Sequence, residues 1–425
     1  MNDTGTEINP KMSGRRIHPW VFMVLSIPFG VASGYIGVTL AYQLRESGVS
    51  VGRIAALVAL VILPHTWKFF WAPVIDVTLD QKKWYVLSGV LSASGIAAIG
   101  FFPATKPGLA ALSAVGFIAS LATTVLGMAV ESLMAHGTAE EEKGRAGGWF
   151  QAGCLGGGGI GGGLGLYLVE RLPAPWMASC IVGGLCLLCC AALGSVPTPV
   201  RGLENPGLLP SLAGTIKEVW EVVKKRAGAL ALILCFMPIG TGAAPLAAIA
   251  GEWRASANTV ALVTGVLGGI ISAIGCIVGG WYCDRMDRKR TYVWFGVIQA
   301  AGGLAMGLLP RTAAMYVLWA SVYAFTQGLT YGAFSAFVLE AIGKGAAATK
   351  YNALASLSNL PIYYMTNIDG WACDRWGSKG MFFTESGIGV AGAVFFIFLA
   401  RILLRKGDQS GPASGCKGVE AGCGK

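Results

Sequence analysis

The chain has 425 residues, 54% of them hydrophobic and 13% charged, with a formal net charge of +10. Soluble domains carry roughly 25% charged residues, so this composition excludes a water-covered globule and requires lipid around most of the surface. Eleven cysteines, mostly within apolar runs, behave as small hydrophobes and exclude a disulfide framework. His18, His65 and His136 have no metal-ligand company, so no metal is expected.

In chain order, the first sixteen residues are polar, and the run that follows is too long for the core of a cleavable signal. Apolar runs of roughly 17–25 residues, the length that crosses a bilayer, fall at 20–44, 54–75, 84–102, 108–135, 147–170, 175–196, 227–250, 258–283, 291–309, 313–342, 349–371 and 381–405. We number these segments 1 to 12. The expected fold is all-α and membrane-embedded, with twelve transmembrane helices. If the N-terminus is cytoplasmic, the loops on its side hold 23 of the 32 Lys and Arg residues, and the opposite loops hold 8. The positive-inside rule then places both termini in the cytoplasm. The positive charge is a topology signal, and nucleic acid is not an expected partner.

Segment 1 carries a polar stripe of Tyr35, Thr39 and Tyr42. Segment 2 holds Pro64, His65 and the intramembrane Lys68, and closes on Asp76. Segment 4 aligns Ser120, Thr124, Gly127 and Glu131 on one helical face. Charges inside a bilayer are costly and need a partner or a cavity. Glu131 and its counterpart in segment 10, Glu340, lie about one turn from the cytoplasmic end. Two readings stay open for them. One is an ion-pair latch, with Lys68 opposite Glu131 and Arg285 or Arg288 opposite Glu340. The other is a protonatable carboxylate that couples transport to a proton gradient.

Segment 5 contains CLGGGGIGGGLG, 154–165. A phosphate-binding loop needs a preceding strand and solvent, and this run has neither. Read as a helix, it has Gly157, Gly161 and Gly165 at four-residue spacing, the pattern that lets helix backbones approach in lipid. A smooth glycine face against the opposite half of the molecule is expected.

The break at 197–226 ends in SLAGTIKEVWEVVKKRAG. Leu212, Ile216, Val219, Trp220 and Val223 share one face of an amphipathic helix, so this stretch reads as an interfacial linker. The organisation is therefore a bundle over 1–196, a cytoplasmic linker over 197–226, a second bundle over 227–405 and a disordered cytoplasmic tail over 406–425. The halves repeat: Asp76 and Asp284, FFPAT and LLPRT, and Glu131 and Glu340 recur at offsets of about 208 residues. Six spans per half give a parallel repeat.

In the second half, segment 10 aligns Tyr323, Gln327 and Thr330, and segment 11 aligns Asn352, Ser356, Asn359 and Tyr363. Together with Tyr35, Thr39 and Thr124 these are the candidate linings of a substrate cavity. Pro28, Pro64, Pro238 and Pro361 are candidate kinks. No Walker-type GKS or GKT occurs, so ATP is not an expected energy source, and no cofactor is expected. An acyltransferase reading would need a dyad near the interface, for which HGTAE at 136–140 is the nearest candidate.

GGWYCDRMDRKR, 279–290, resembles the loop signature of the major facilitator superfamily through Gly280, Asp284, Arg285, Arg288, Lys289 and Arg290. Its first-half counterpart keeps Asp76 and lacks the following Arg. WKFFWAPVID (67–76), TAEEEKGRAGGWFQAGCLGGG (138–158) and ATKYNALASLSNLP followed by GWACDRWG resemble the AmpG-like muropeptide permeases and their acetyl-CoA transporter relatives. The resemblance covers most of the chain. It implies proton-driven import of an organic solute across the bacterial inner membrane; a monomer without enzymatic activity is expected. The sequence departs from that branch at Met134, at His136 and in the uncharged segment 7, CFMPIGTGAAPLAAIA. Siderophore permeases are the alternative.

Overall fold

The computed structural model describes residues 18–138, 143–196, 207–342 and 347–408. All regular structure among them is helical. Eight helices are long and apolar enough to cross a membrane; the longest, Lys350–Leu403, contains two candidate segments in one run. Within its helix Asn359–Asp408 the backbone leaves the helical region at Gly377, at φ 71°, where the chain reverses. Glycine tolerates that backbone because it has no Cβ to clash. Segments 3 and 10 are helices at Gln81–Ile99 and Ala313–Ile342. The outer faces are apolar: Leu87, Ile277, Trp294, Leu318, Val394 and Phe398 all stand exposed. Water would not tolerate such a girdle, and hydrocarbon matches it.

The end of the bundle where segment 1 begins is the basic end, and the other is the far end. Three buried cores arrange the helices. One, at the basic end, joins Phe22, Ile75, Tyr85, Leu133 and Leu193 of the first six segments. A second joins Leu230, Cys283, Tyr292, Val338 and Leu354 of the last six. The third lies at the far end and draws on both sets, from Leu44, Ile54 and Ile99 to Trp253, Tyr316 and Phe382. The far end is thus one continuous apolar plug.

Segment 5 answers the glycine expectation with two faces. A Cβ on Gly153, Gly157 or Gly161 would sit 2.1 Å from the carbonyl oxygens of Met23, Ile27 or Val31 respectively. This face therefore locks onto segment 1 of its own half. The other face meets the opposite half, as expected: a Cβ on Gly163 would lie 2.6 Å from Val266 Cγ2 of segment 8, and Gly159 faces Val266 as well. Where segments 1, 5 and 8 meet, each widens into a π-helical turn, at Tyr35–Leu40, Ile160–Leu164 and Ala261–Leu267. Such turns carry one surplus residue and are common at functional sites.

Segment 7 departs from its expected continuous span. Helix Arg226–Leu234 ends, and the chain unwinds until the short helix Leu246–Ile249. The reason is local: Pro238 and Pro245 lack N–H donors, and Gly240 and Gly242 both take φ 61°. Segment 2 also changes character, becoming a 3₁₀-helix over Leu63–Phe70 from Pro64 onward. The amphipathic linker helix is present at Leu208–Val223. Thr215 and Val222 are its buried residues, while Ile216 and Trp220 of the expected apolar face stand exposed. It touches segment 2 and the first helix of segment 11, Ala347–Leu357. The linker stretch 197–206 and the tail beyond 408 lie outside the described residues.

Candidate functional site

The first-half cluster is built on the 3₁₀ part of segment 2. Lys68 Nζ lies 3.1 Å from Glu131 Oε1 of segment 4, and both side chains are 11% exposed. Among the described residues Glu131 Oε2 has no hydrogen-bond partner. Phe29 of segment 1 places its ring under the Lys68 ammonium, 5.5 Å from centroid to nitrogen, and edge-on to His65 at 5.1 Å. Gly127 makes room for that ring. His65 is buried, with Nε2 3.2 Å from Ser120 Oγ. It is a satisfied imidazole next to the pair. The first helix of segment 11, from the other half, packs on this 3₁₀ stretch, and its Tyr351 hydroxyl lies 2.9 Å from Ser335 Oγ.

Several expected cavity residues are used for helix packing instead. Thr124 is buried and donates to Leu121 O of its own helix. Thr39 is buried and donates to Gly161 O and Gly162 O, both 3.0 Å away in the π-turn of segment 5. Tyr35 does line a cavity, of about 300 Å³, with Gln43, Ile99 and Phe102. That cavity lies at the far end within the first half and away from the other half. In segment 11, Ser356 donates to Asn352 O at 2.6 Å. Asn359 Nδ2 donates to Ala355 O and Ser356 O, occupying carbonyls at the break before Pro361. Asn352 and Tyr363 are half-buried.

At the basic end of the second half, Arg288 reaches Glu340 at 3.3 Å, with side-chain exposures of 34% and 55%. Arg285 turns away, stacks 3.9 Å over the Trp281 ring and donates to Trp281 O. Asp284 is exposed, and Asp287 caps the following helix, accepting from Arg290 N at 2.9 Å. Asp287 sits where a side-chain oxygen can take up a free helix N–H. The Asp76 side chain lies outside the described ones.

The far end is closed by contacts between the halves. A Cβ on Gly370 of segment 11 would fall 2.4 Å from Ala55 Cβ of segment 2. One turn on, Asp374 Oδ1 accepts from Gly52 N at 3.0 Å. A carboxylate from one half therefore caps a helix of the other, where the helix dipole favours negative charge. Arg171 and Asn258 make a second bridge at 3.3 Å. Around the rim, Glu252 joins Arg311 and Ser378 at 2.5 Å each.

A further polar cluster joins the expected stripe of segment 10 to two acids, Asp369 and Glu385, that the sequence reading did not single out. Unwound segment 7 is held by the stripe of segment 10: Thr330 donates to Gly240 O, Gln327 donates to Gly242 O, and Tyr323 Oη accepts from Ala244 N at 3.0 Å. The stripe thus serves as scaffold for broken backbone, whose polar groups must find partners in lipid. Tyr323 donates in turn to Glu385 Oε1 of segment 12, which also accepts from Ala243 N at 3.2 Å. Beside Glu385 lies Asp369 of segment 11, completely buried, with neither carboxylate oxygen hydrogen-bonded.

A helical bundle with cross-half contacts and a broken segment is shared by many membrane proteins, and comparison decides the family. The family model described as Major Facilitator Superfamily matches residues 21–363. The chain belongs to the major facilitator superfamily. It is accordingly a multi-pass membrane transporter. It is 21% identical over 396 residues to the anhydromuropeptide permease of Escherichia coli K12, covering 90% of this chain and 80% of that protein. Among solved structures it is similar to the E. coli xylose transporter XylE in a partially occluded inward-open conformation, with TM-score 0.68 and 14% identity over 89% of this chain and 97% of that one. The nucleoside transporter NupG follows at TM-score 0.67 and 11% identity, covering 89% and 98%. A bacterial homologue of the human lysosomal transporter Spinster, inward-facing and unoccupied, gives TM-score 0.66 and 13% identity over 91% and 97%. In this superfamily member the two halves meet along segments 2 and 11 and along segments 5 and 8.

Proposed function

We propose that this superfamily member imports an organic solute of the muropeptide type across the bacterial inner membrane, driven by protons, as a monomer of two six-span bundles with both termini cytoplasmic. The basic end then faces the cytoplasm and the far end the periplasm. Lys68 and Glu131 form the inner latch. The observation that carries this reading is their buried pairing on the 3₁₀ stretch of segment 2, against segment 11 of the other half. A buried pair is costly to part, so it keeps segment 2 fixed on segment 4 and presents their cytoplasmic ends to segment 11 as one surface. Gly370 against Ala55 and Asp374 on Gly52 form the outer latch. Tilting the halves about the glycine contacts of segments 5 and 8 opens and recloses the outer latch. The relative named for anhydromuropeptides supports the substrate class.

The test is uptake in proteoliposomes, with a radiolabelled anhydromuropeptide as probe, with and without an imposed pH gradient. Accumulation only with the gradient is expected. Equal accumulation without it sinks proton coupling, and no entry under either condition sinks the substrate class. Uptake that persists in Glu131→Gln identifies Glu131 as a latch, whereas lost pH-driven accumulation would make it the proton site.

A further inference from the structure

Asp369 and Glu385 belong to segments 11 and 12, and each lies eight residues from Gly377, one before it and one after it. At 1.5 Å per residue, both sit about 12 Å below the turn. Antiparallel neighbours at equal distance from one turn meet at the same depth. Their surroundings are apolar: Met365, Ala372, Met381 and Phe382 are all buried. Asp369 is 0% exposed and Glu385 7%. Both Asp369 oxygens and Glu385 Oε2 lack a hydrogen bond.

The facing groups are few. Segment 10 contributes the Tyr323 hydroxyl and segment 7 the backbone N–H of Ala243. Segment 2 presents Gly52 and Ala55 to this stretch of segment 11, and segment 9 presents Ala300 O, bonded to Ser386. Arg45, Glu252, Arg311 and Asp374 lie one turn nearer the far end, around Cys373. Among the described residues no cation pairs with Asp369 or Glu385. Two carboxylates in one apolar cage with no cation beside them are not both ionised, because their mutual repulsion is not offset.

We propose that Asp369 and Glu385 share a single exchangeable proton and form the coupling site of the transporter, with the proton on Asp369 and the charge on Glu385. The inference rests on the proton-driven reading above and deepens it. The hydrogen bonds decide the allocation. Glu385 accepts two donors, as an anion does, and Asp369 accepts none. A second proton takes the pair from one negative charge to none and weakens the hold of Glu385 on Ala243 N. The loosened strand leads directly into Leu246–Ile249, part of the plug that seals the far end. Proton occupancy thereby acts on the outer closure through segment 7.

Infrared difference spectra of the full-length protein in liposomes, recorded as pH is stepped, read this proton without any substrate. The carbonyl stretch of a buried carboxylic acid is expected in the wild type. It should lose its full amplitude in Asp369→Asn, shift in Glu385→Gln, and stay unchanged in Glu131→Gln. If Asp369→Asn does not fold, the shift in Glu385→Gln carries the test. A wild type without the band overturns the proposal, as does a band unaltered in both second-half variants. So does a band abolished by NaCl but not by KCl, which would make the pair a sodium site. Failure of wild-type anhydromuropeptide uptake with the band intact removes the substrate class alone, whereas gradient-driven uptake without the band removes this site alone.

Discussion

The two halves bury carboxylates in opposite ways. In the first, Glu131 has a lysine at 3.1 Å, and the pair is neutral as a whole. In the second, Asp369 and Glu385 face each other with a tyrosine hydroxyl and one amide for company. A compensated charge is a fastener, since opening it exposes two ions to hydrocarbon. An uncompensated one is a reservoir, since its charge is set by a proton that comes and goes. The sequence repeat obscures this division, because it maps Glu131 onto Glu340, which meets Arg288 at a half-exposed surface. Equivalent positions have taken different tasks.

The comparison breaks first at Lys68. Lys68→Ala leaves Glu131 buried without a cation, a loss of about 3–5 kcal/mol. A steep fall in thermal stability in detergent is expected. Replacing the pair together, as Lys68→Met with Glu131→Leu, should restore most of that stability. A double variant as unstable as the single one would show that the pair is not the fastener. Next comes Gly157→Leu, which drives a side chain into Ile27 O. Overpacking of this kind costs about 1–3 kcal/mol or more, so lower yield and melting temperature are expected. Wild-type stability in that variant would contradict the locked face of segment 5.

Smaller effects sharpen the picture. Asp374→Ala removes a helix cap worth about 1 kcal/mol. The far end should then open more often, seen as roughly fivefold faster thiol labelling of Cys373; an unchanged rate would discard the outer latch. Arg288→Ala should change stability by under about 1 kcal/mol, since exposed pairs contribute little. A large loss there would restore equivalence between Glu340 and Glu131.

Much of this was legible beforehand. A lysine and a glutamate inside apolar runs announce themselves by cost, and the glycine spacing announces helix contact. Two features were not legible. Segment 7 is apolar throughout, so hydropathy cannot see it unwind; the signal lay in the Pro238, Gly240, Gly242 and Pro245 spacing. Asp369 and Glu385 sat near the expected ends of segments 11 and 12, beside DRWGSKG, which looks like a long polar loop. The helices run on to a single-residue turn at Gly377, and both acids sink about two turns below the rim. Their equal distance from that glycine was the available clue. Thr39 and Asn359 both spend a hydrogen-bond donor on helix carbonyls, because polar stripes in lipid serve helix carbonyls as readily as solutes.

The hairpin centred on Gly377 has a mechanical corollary. Two acids equidistant from one pivot travel as a unit whenever segments 11 and 12 lean, so their separation is indifferent to the lean. What varies is the set of donors that segments 7 and 10 bring to Glu385, and by reciprocity whatever moves those donors is moved in turn by the proton.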